Sequence, residues 1–340
     1  MSAFRVFLDR AASGRALTGA EMRAAMDLLL EGAASDIEAA GFLMALRARG
    51  ESVEEIAAAA EAMREKATKV AAPADVIDTC GTGGDGAGAF NISTAAALVA
   101  AGAGAKVAKH GNRAVTSKSG SSEVLEALGV NLAAPPETIA RAIREAGVGF
   151  MFAAYHHRAV ANVAGARKAL GVRTLFNLLG PLANPAGARR QLMGVFSKDL
   201  VEPLAEALLR LGAEAAWVVH GSDGLDELTT TGPSFVAEVK AGRIRRFEIA
   251  PEDADLPRAA PEALKGGGPA ENAEAVRALL AGAPSAYRDI VVLNAAAALV
   301  IAGVAPDLRE GARRAARAID EGRARAALDR LVAVTNEGAS

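Results

Sequence analysis

The sequence predicts an α/β fold: a small N-terminal helical domain, then a larger α/β domain whose central, largely parallel sheet is flanked by helices. Three observations carry this prediction. Residues 1–70 show helical periodicity only. From Asp75 onward, short apolar runs alternate with amphipathic or alanine-rich segments, the pattern of strands joined by crossover helices. The chain is also long enough for two packed modules, with 340 residues of which 51% are hydrophobic.

The N-terminal helices are announced by their caps. Thr18-Gly19-Ala20-Glu21 reads as a helix start, followed by apolar Met22, Met26, Leu29 and Leu30. Asp36 opens a second helix carrying Ile37, Phe42, Leu43 and Leu46. Ser52-Val53-Glu54-Glu55 opens a third, whose apolar period holds through Met63. Strand 76–79 follows, then a helix from Ser93, strand 106–108, helices 121–128 and 136–146, and strand 148–152. Segment 155–184 is more helical and looped. The alternation resumes with strand 191–196, helix 200–211 and strand 216–220. Segments 235–239 and 244–249 read as a hairpin across Ala241-Gly242-Arg243. The remainder reads as helices 272–280 and 290–302, and helical sequence from 308 to about 334.

Composition narrows the function classes. A net charge of −2 gives no global attraction to nucleic acid. Cys80 is the only cysteine, so no intrachain disulfide is possible and a reducing, cytoplasmic setting is expected. The histidines at 110, 156, 157 and 220 lack the Cys/His spacing of a structural zinc site. MSAFRVFLDRAASG at the N-terminus has no apolar core of signal-peptide length. The most apolar run, 94–105, is short and ends at Lys106, so a buried helix is expected rather than a membrane span. Small-molecule partners are therefore expected, with no nucleic acid and no membrane.

Chemistry concentrates in residues 76–130. Gly81, Gly83, Gly84 and Gly86 crowd together after a strand, and Ser93 and Thr94 stand at the mouth of an apolar helix. A backbone that bends so sharply and then opens a helix turns several N–H groups toward one point, with the positive end of the helix dipole behind them; that arrangement binds phosphate. One strand later comes Lys109-His110-Gly111-Asn112-Arg113, with Thr116, Ser117, Lys118 and Ser121 behind it. Two polar, glycine-containing loops after consecutive strands suit a polyanionic ligand.

The string Gly81-Thr82-Gly83-Gly84-Asp85-Gly86 also satisfies the dinucleotide fingerprint. That fold needs an acid about 20 residues on to hold a ribose. Here the next strand leads into Lys109 and His110 instead, and Asp85 would repel a bare pyrophosphate more than a Mg²⁺-bound one. The glycines are not followed by the Gly-Lys-Ser/Thr of a nucleotide P-loop. Farther on, Asp226 and Glu227 sit in a loop after a strand. They read either as a solvated acidic turn or as oxygen ligands for one hydrated Mg²⁺.

With Asn91-Ile92-Ser93-Thr94 and Phe176-Asn177-Leu178-Leu179-Gly180-Pro181-Leu182 added, five segments in matching order make the chain resemble the anthranilate phosphoribosyltransferases along its whole length. The resemblance implies transfer of phosphoribosyl from 5-phosphoribosyl 1-pyrophosphate to the anthranilate amine, in tryptophan biosynthesis. For the donor it implies Gly81, Gly84, Asp85, Asn91, Ile92, Ser93, Thr94, Lys109, His110, Gly111, Asn112, Arg113, Ala114, Val115, Thr116, Ser117 and Ser121. For anthranilate it implies Gly81, His110, Asn112, His157 and Arg167, with Gly180 and Pro181 shaping the acceptor channel. Ser93, Asp226 and Glu227 would hold Mg²⁺, and no residue is singled out as a proton-transfer catalyst. It further implies that helices from about 155–184 join residues 1–70 as the helical domain. Segments 71–154 and 185–340 would then form the α/β domain, with the site in the cleft between the two and a homodimer through the helical domain.

The chain departs from the family pattern at Ala89, where threonine is usual, and at Arg158 and Val160, which replace proline and methionine. The first removes a hydroxyl contact to the donor; the other two alter the acceptor entrance. Three rival readings fit less well. A pyrimidine nucleoside phosphorylase would carry a Lys-His-Ser-Thr-Gly-Gly type loop instead of Lys109-His110-Gly111-Asn112-Arg113. A non-enzymatic, nucleic-acid-binding relative would have eroded motifs and a basic surface. A nicotinamide oxidoreductase would carry the acid missing after the second strand.

Overall fold

The computed structural model describes residues 3–114 and 118–337. It opens with α1 (Arg5–Ala12), α2 (Gly19–Leu30), α3 (Asp36–Arg49) and α4 (Val53–Lys66). Thr18, Ser35 and Ser52 each form a reciprocal capping box with the glutamate three residues on, satisfying N–H groups that a helix start otherwise leaves unpaired. Glu55 does more than cap. Its fully buried carboxylate accepts the N–H groups of Leu17 (2.9 Å) and Ser52 (2.8 Å) and pairs with Arg49, tying three helices' ends together.

The α/β part begins with β1 (Ile77–Thr79), α5 (Ile92–Gly102), β2 (Val107–Gly111), α6 (Ser121–Ala127), α7 (Pro136–Glu145) and β3 (Val148–Phe152). The chain then passes through α8 (Ala153–His156), a 3₁₀ turn (Arg158–Val163), α9 (Ala164–Leu170) and α10 (Phe176–Leu182). It returns through β4 (Arg190–Gly194), α11 (Val201–Arg210), β5 (Ala215–Gly221) and the hairpin β6 (Ser234–Lys240) and β7 (Arg243–Ile249). It ends in α12 (Pro269–Leu280), α13 (Ala286–Ile301), α14 (Leu308–Asp320) and α15 (Arg323–Asn336).

The strands form one seven-stranded sheet in the order β3-β2-β1-β4-β5-β6-β7, parallel through β5 and antiparallel across the last two pairs. Strand β1 is therefore flanked by β2 on one side and by β4, more than a hundred positions later, on the other. Because side chains alternate faces along a strand, the sheet feeds cores on both faces, including a smaller one where Ala108 and Met151 pack with Ile139 and Ile143 of α7. Ile77, Val107, Leu192, Trp217 and Val219 pack with α5, α13 and α15. On the opposite face, Met193, Val195, Ala216 and Val218 pack with α11, and this core continues without a break into Phe42, Leu46, Ile56 and Met63 of the N-terminal helices. Val163, Ala166, Leu175 and Leu179, from the 3₁₀ turn to α10, belong to the same core. Asn162 Nδ2 reinforces it by donating to the Leu30 carbonyl at 2.7 Å.

Two expectations are corrected. Lys109, His110 and Gly111 are not in a loop after the second strand but inside it, paired with Phe150, Met151 and Phe152 of β3. Fully buried on both sides, the strand runs on through its polar residues because those residues find partners, described below. The C-terminal helical stretch is two helices, because Gly322 at φ +72° adopts a left-handed turn that side-chain-bearing residues disfavour. Among the described residues, no helix is long and apolar enough to cross a membrane.

Candidate active site

A cavity of about 700 Å³ opens at the carboxyl ends of β1, β2 and β4, between the sheet and the α9–α10 segment. This is where open α/β sheets bind ligands, at the point where the strand order reverses. The glycine loop leaves β1 and runs to the start of α5. Thr82 N–H donates to the Gly194 carbonyl and Phe196 N–H to Thr82 Oγ1, so the loop is tied to the end of β4. Gly194 itself must be glycine: a Cβ there would lie 1.5 Å from the Asp226 carbonyl oxygen. That close approach seats the Asp226-Glu227 turn directly beside the glycine loop.

The two acids divide their bonds between the two halves of the loop. Asp226 Oδ2 accepts the Gly83 N–H at 2.7 Å, and Glu227 Oε1 accepts the Ser93 N–H at 3.1 Å. Asp85 completes the tie by accepting the Asp226 N–H at 3.4 Å. Burial, and then mutual repulsion with Glu227 and Asp85, pushes the Asp226 carboxyl well above the usual range. Burial raises Glu227 as well, against the pull of Lys109 and the Ser93 N–H. Among the described residues neither acid has an ion-pair partner within 4.0 Å. Two crowded, buried carboxylates beside a serine hydroxyl form an all-oxygen donor set that fits Mg²⁺.

Lys109, almost fully buried on β2, reaches across to β1. Its Nζ donates to the Thr79 carbonyl at 2.6 Å and to Ser93 Oγ at 3.3 Å, placing a fixed positive charge at the loop's base. His110 points to the other side of the sheet. Its Nδ1–H donates to the Gly180 carbonyl at 3.1 Å, which leaves Nε2 the bare nitrogen, buried and without a hydrogen-bond partner. Burial, then the neighbouring His157, lowers its pKa well below the ordinary value, so the ring is neutral near pH 7.

The cavity wall brings together Gly81, Gly84, Asp85, Asn91, Ile92, Ser93, Thr94, Lys109, His110, Gly111, Asn112, Arg113, Ala114, Ser121, Arg167, Gly180, Pro181, Asp226 and Glu227. Val115, Thr116 and Ser117 lie outside the described residues. His157 is the exception among the expected residues: it does not line this cavity but lies behind His110, with ring centroids 5.1 Å apart. Arg167 does face the cavity, its guanidinium 5.2 Å over the Phe176 ring.

Sequence reading missed Arg173. From the α9–α10 connection it lays its guanidinium over Phe196 at 4.0 Å and donates to the Gly84 carbonyl, linking the helical side to the glycine loop. Its only sequence signal is its place just before the Phe176 motif. Also unread was a grouping on one sheet face. Asp78, Cys80 and His110 bring their ligand atoms within 4.8 Å of one another. Asp78 is already engaged by Asn184 Nδ2 (2.7 Å) and the His110 N–H (3.1 Å).

Comparison with known proteins agrees with this geometry. Residues 5–67 match the glycosyl transferase family helical bundle domain, and residues 73–325 match the glycosyl transferase family a/b domain. The chain is 58% identical to the anthranilate phosphoribosyltransferase of Parvibaculum lavamentivorans, over 99% of this chain and 98% of that one. It is 60% identical to that of Rhodospirillum rubrum, over 97% and 95% respectively. The chain belongs to the anthranilate phosphoribosyltransferase family. The fold agrees at the level of coordinates. The anthranilate phosphoribosyltransferase of Thermus thermophilus superposes with a TM-score of 0.92 at 48% identity, over 97% of this chain and 99% of that chain. The Saccharomyces cerevisiae anthranilate phosphoribosyltransferase, solved in complex with PRPP and Mg, gives 0.90 at 27% identity, over 98% of both.

Proposed function

We propose that this cleft transfers the phosphoribosyl group of 5-phosphoribosyl 1-pyrophosphate to the amine of anthranilate, releasing pyrophosphate, as a step of tryptophan biosynthesis. One observation carries the reading in this chain. A glycine loop, a helix start, a buried lysine and an acid pair meet on one side of a cavity whose other side carries Arg167.

In this reading, the glycine loop, Asn91–Thr94 and the Lys109–Ser121 stretch bind the donor. Ser93, Asp226 and Glu227 would hold Mg²⁺, which when bound offsets negative charge on the departing pyrophosphate. The glycosidic C1–O bond breaks with its electron pair going to pyrophosphate, and the new C1–N bond forms from the amine lone pair. Lys109 stabilises the charge that develops on the leaving group from a position fixed before reaction, so no reorganisation is required. Arg167 pairs with the anthranilate carboxylate through its planar fork, held by Phe176 behind it. Asn112, His110 and Gly81 complete the acceptor contacts. His110 acts through shape and its bare Nε2, because a nitrogen with so low a pKa is a poor base at neutral pH. An aryl amine is already neutral there, so its surplus proton passes to solvent after attack.

We further assign residues 1–70 and the helices of 155–184 to one domain and the remaining segments to the other, on the strength of the bond from Asn162 to Leu30 and the packing of Val163, Ala166, Leu175 and Leu179 with the N-terminal helices. A cytoplasmic homodimer formed through the helical domain fits the exposed apolar side chains Val6 and Ile37 on α1 and α3. The test of function is loss of anthranilate fluorescence on mixing enzyme with the phosphoribosyl donor. Loss that requires donor and Mg²⁺, and stops with EDTA, is expected. No loss under any condition would overturn the acceptor, and phosphorolysis of thymidine or uridine would replace it.

A further inference from the structure

The walls of the donor site are held from behind by polar side chains on the C-terminal helices. From Ile290 to Ile301 the buried side chains of helix α13 are apolar except that of Asn294, which is fully buried. Burying an amide there costs free energy unless every polar atom finds a partner. Asn294 Oδ1 accepts the Leu228 N–H at 3.1 Å, and its Nδ2 donates to the Leu228 carbonyl at 2.8 Å and the Ile290 carbonyl at 2.9 Å. It thus grips both backbone groups of the residue that directly follows the acid pair.

The other half of the site is held in the same way. Asn91 stands at the start of α5, yet its side chain does not cap that helix. Its Oδ1 accepts from Asn272 Nδ2 of α12 at 2.8 Å, and its Nδ2 donates to the Ser119 carbonyl at 3.1 Å. Asn272 is itself buried, and its Oδ1 accepts the Gly267 N–H at 2.8 Å. Tyr287 of α13 donates its hydroxyl to the Asn91 carbonyl at 3.3 Å and stacks its ring on Phe90 with centroids 4.4 Å apart. One pair of helices therefore holds the backbone on either side of Ser93 and Glu227, the two residues joined by a bond of 3.1 Å across the site.

We propose that Asn294, Asn272 and Tyr287 are positioning residues that set the distance between the Ser93 helix start and the Asp226-Glu227 turn, and so tune affinity for the metal-bound leaving group. None touches the cavity or the reacting atoms. The inference rests on the reading of Ser93, Asp226 and Glu227 as the Mg²⁺ residues. Partners that orient ligands from behind typically change metal affinity by about 10–100-fold when removed.

The experiment is calorimetric titration of the full chain with magnesium pyrophosphate, alongside steady-state kinetics in anthranilate. Asn294→Ala and Asn272→Ala are compared with Leu299→Ala, a buried truncation on α13 of a side chain that forms no hydrogen bonds, which serves as a control for lost stability. The expected result is magnesium pyrophosphate affinity lowered by about 10–100-fold in both asparagine variants, with Leu299→Ala within about twofold of wild type and the anthranilate KM little changed. Should Asn294→Ala lack a cooperative thermal transition, Asn272→Ala decides. Wild-type affinity in the asparagine variants, or an equal loss in Leu299→Ala, overturns the proposal. The double variant Asp226→Asn with Glu227→Gln separates the two readings. If it binds magnesium pyrophosphate like wild type, the metal assignment falls and the positioning role with it; if it loses binding while the asparagine variants do not, only the positioning role falls.

Discussion

The two walls of the cleft are built on different principles. The wall proposed for the donor is made of backbone, carboxylates and one buried lysine, fixed by bonds that reach far along the chain: Gly83 to Asp226, Ser93 to Glu227, Lys109 to Thr79. The wall proposed for the acceptor carries Arg167 resting on the Phe176 ring, and Arg173, resting on Phe196, links that side to the glycine loop. A wall of fixed dipoles suits a group whose charge grows during reaction, because stabilisation that is already in place adds to the rate. A wall of cationic side chains suits recognition of a planar acid, which needs fit in the ground state as much as in the transition state.

This contrast can be broken by exchanging which kinetic constant each wall controls. The largest effect is expected from Asp226→Asn with Glu227→Gln, which should lower turnover at limiting Mg²⁺ on the order of 10²-fold or more while the anthranilate KM stays near wild type. Unchanged turnover would remove the acids from the donor wall. Arg167→Ala should raise the anthranilate KM roughly 10–100-fold, the worth of a charge-assisted hydrogen-bonded pair, with a smaller change in kcat. An unaltered KM would leave the acceptor carboxylate without its partner.

A smaller effect, in stability, sharpens the picture behind the acceptor wall. Burial, then the nearby His156, lowers the His157 pKa from 6.5 to about 4. The unfolded chain therefore binds a proton that the folded chain refuses between those two values, so stability is full above pH 6.5 and declines as pH falls toward 4. His110 and His156 carry the same sign. Thermal melts from pH 7.5 to pH 4.5 should show His157→Gln losing less stability on acidification than wild type, by at most about 3 kcal/mol. Parallel curves would mean that this imidazole is as free to charge in the folded state as in the unfolded one.

Much of this molecule was legible in its sequence because the relevant physics is local. Capping boxes at Thr18 and Ser52 are encoded within four residues, and the alternation of strands and helices follows from short-range periodicity. The glycine loop stood out by its residues alone, whereas the acid pair, which as sequence fits a solvated acidic turn equally well, is brought to that loop by the Gly83–Asp226 bond. What was not legible depends on partners far away. Lys109 and His110 looked like loop residues, since polar side chains seldom continue a buried strand; the Thr79 and Gly180 carbonyls that make this possible lie on other elements. His157 looked like a cleft residue from its place in a motif, but the turn after α8 puts it one layer back. Asn272 and Asn294 were invisible as anything but helix residues, because their bonding partners are 181 and 66 positions distant.

The sheet order has a consequence for how the protein is made. Strand β1 must wait for β4 before its second edge is covered, and the Gly83–Asp226 bond closes a loop of 143 positions. Synthesis proceeds from the N-terminus at about 5–20 residues per second, so the ribosome delivers the glycine loop many seconds before the turn that orders it. Throughout that interval the nascent chain exposes the unpaired edge of β1 and the apolar faces of α2 to α4, whose core is completed only by strands that come later. Competence to bind the donor is thus a late event in the life of each chain, and the stretch of translation between residues 80 and 227 is when it most needs protection from aggregation.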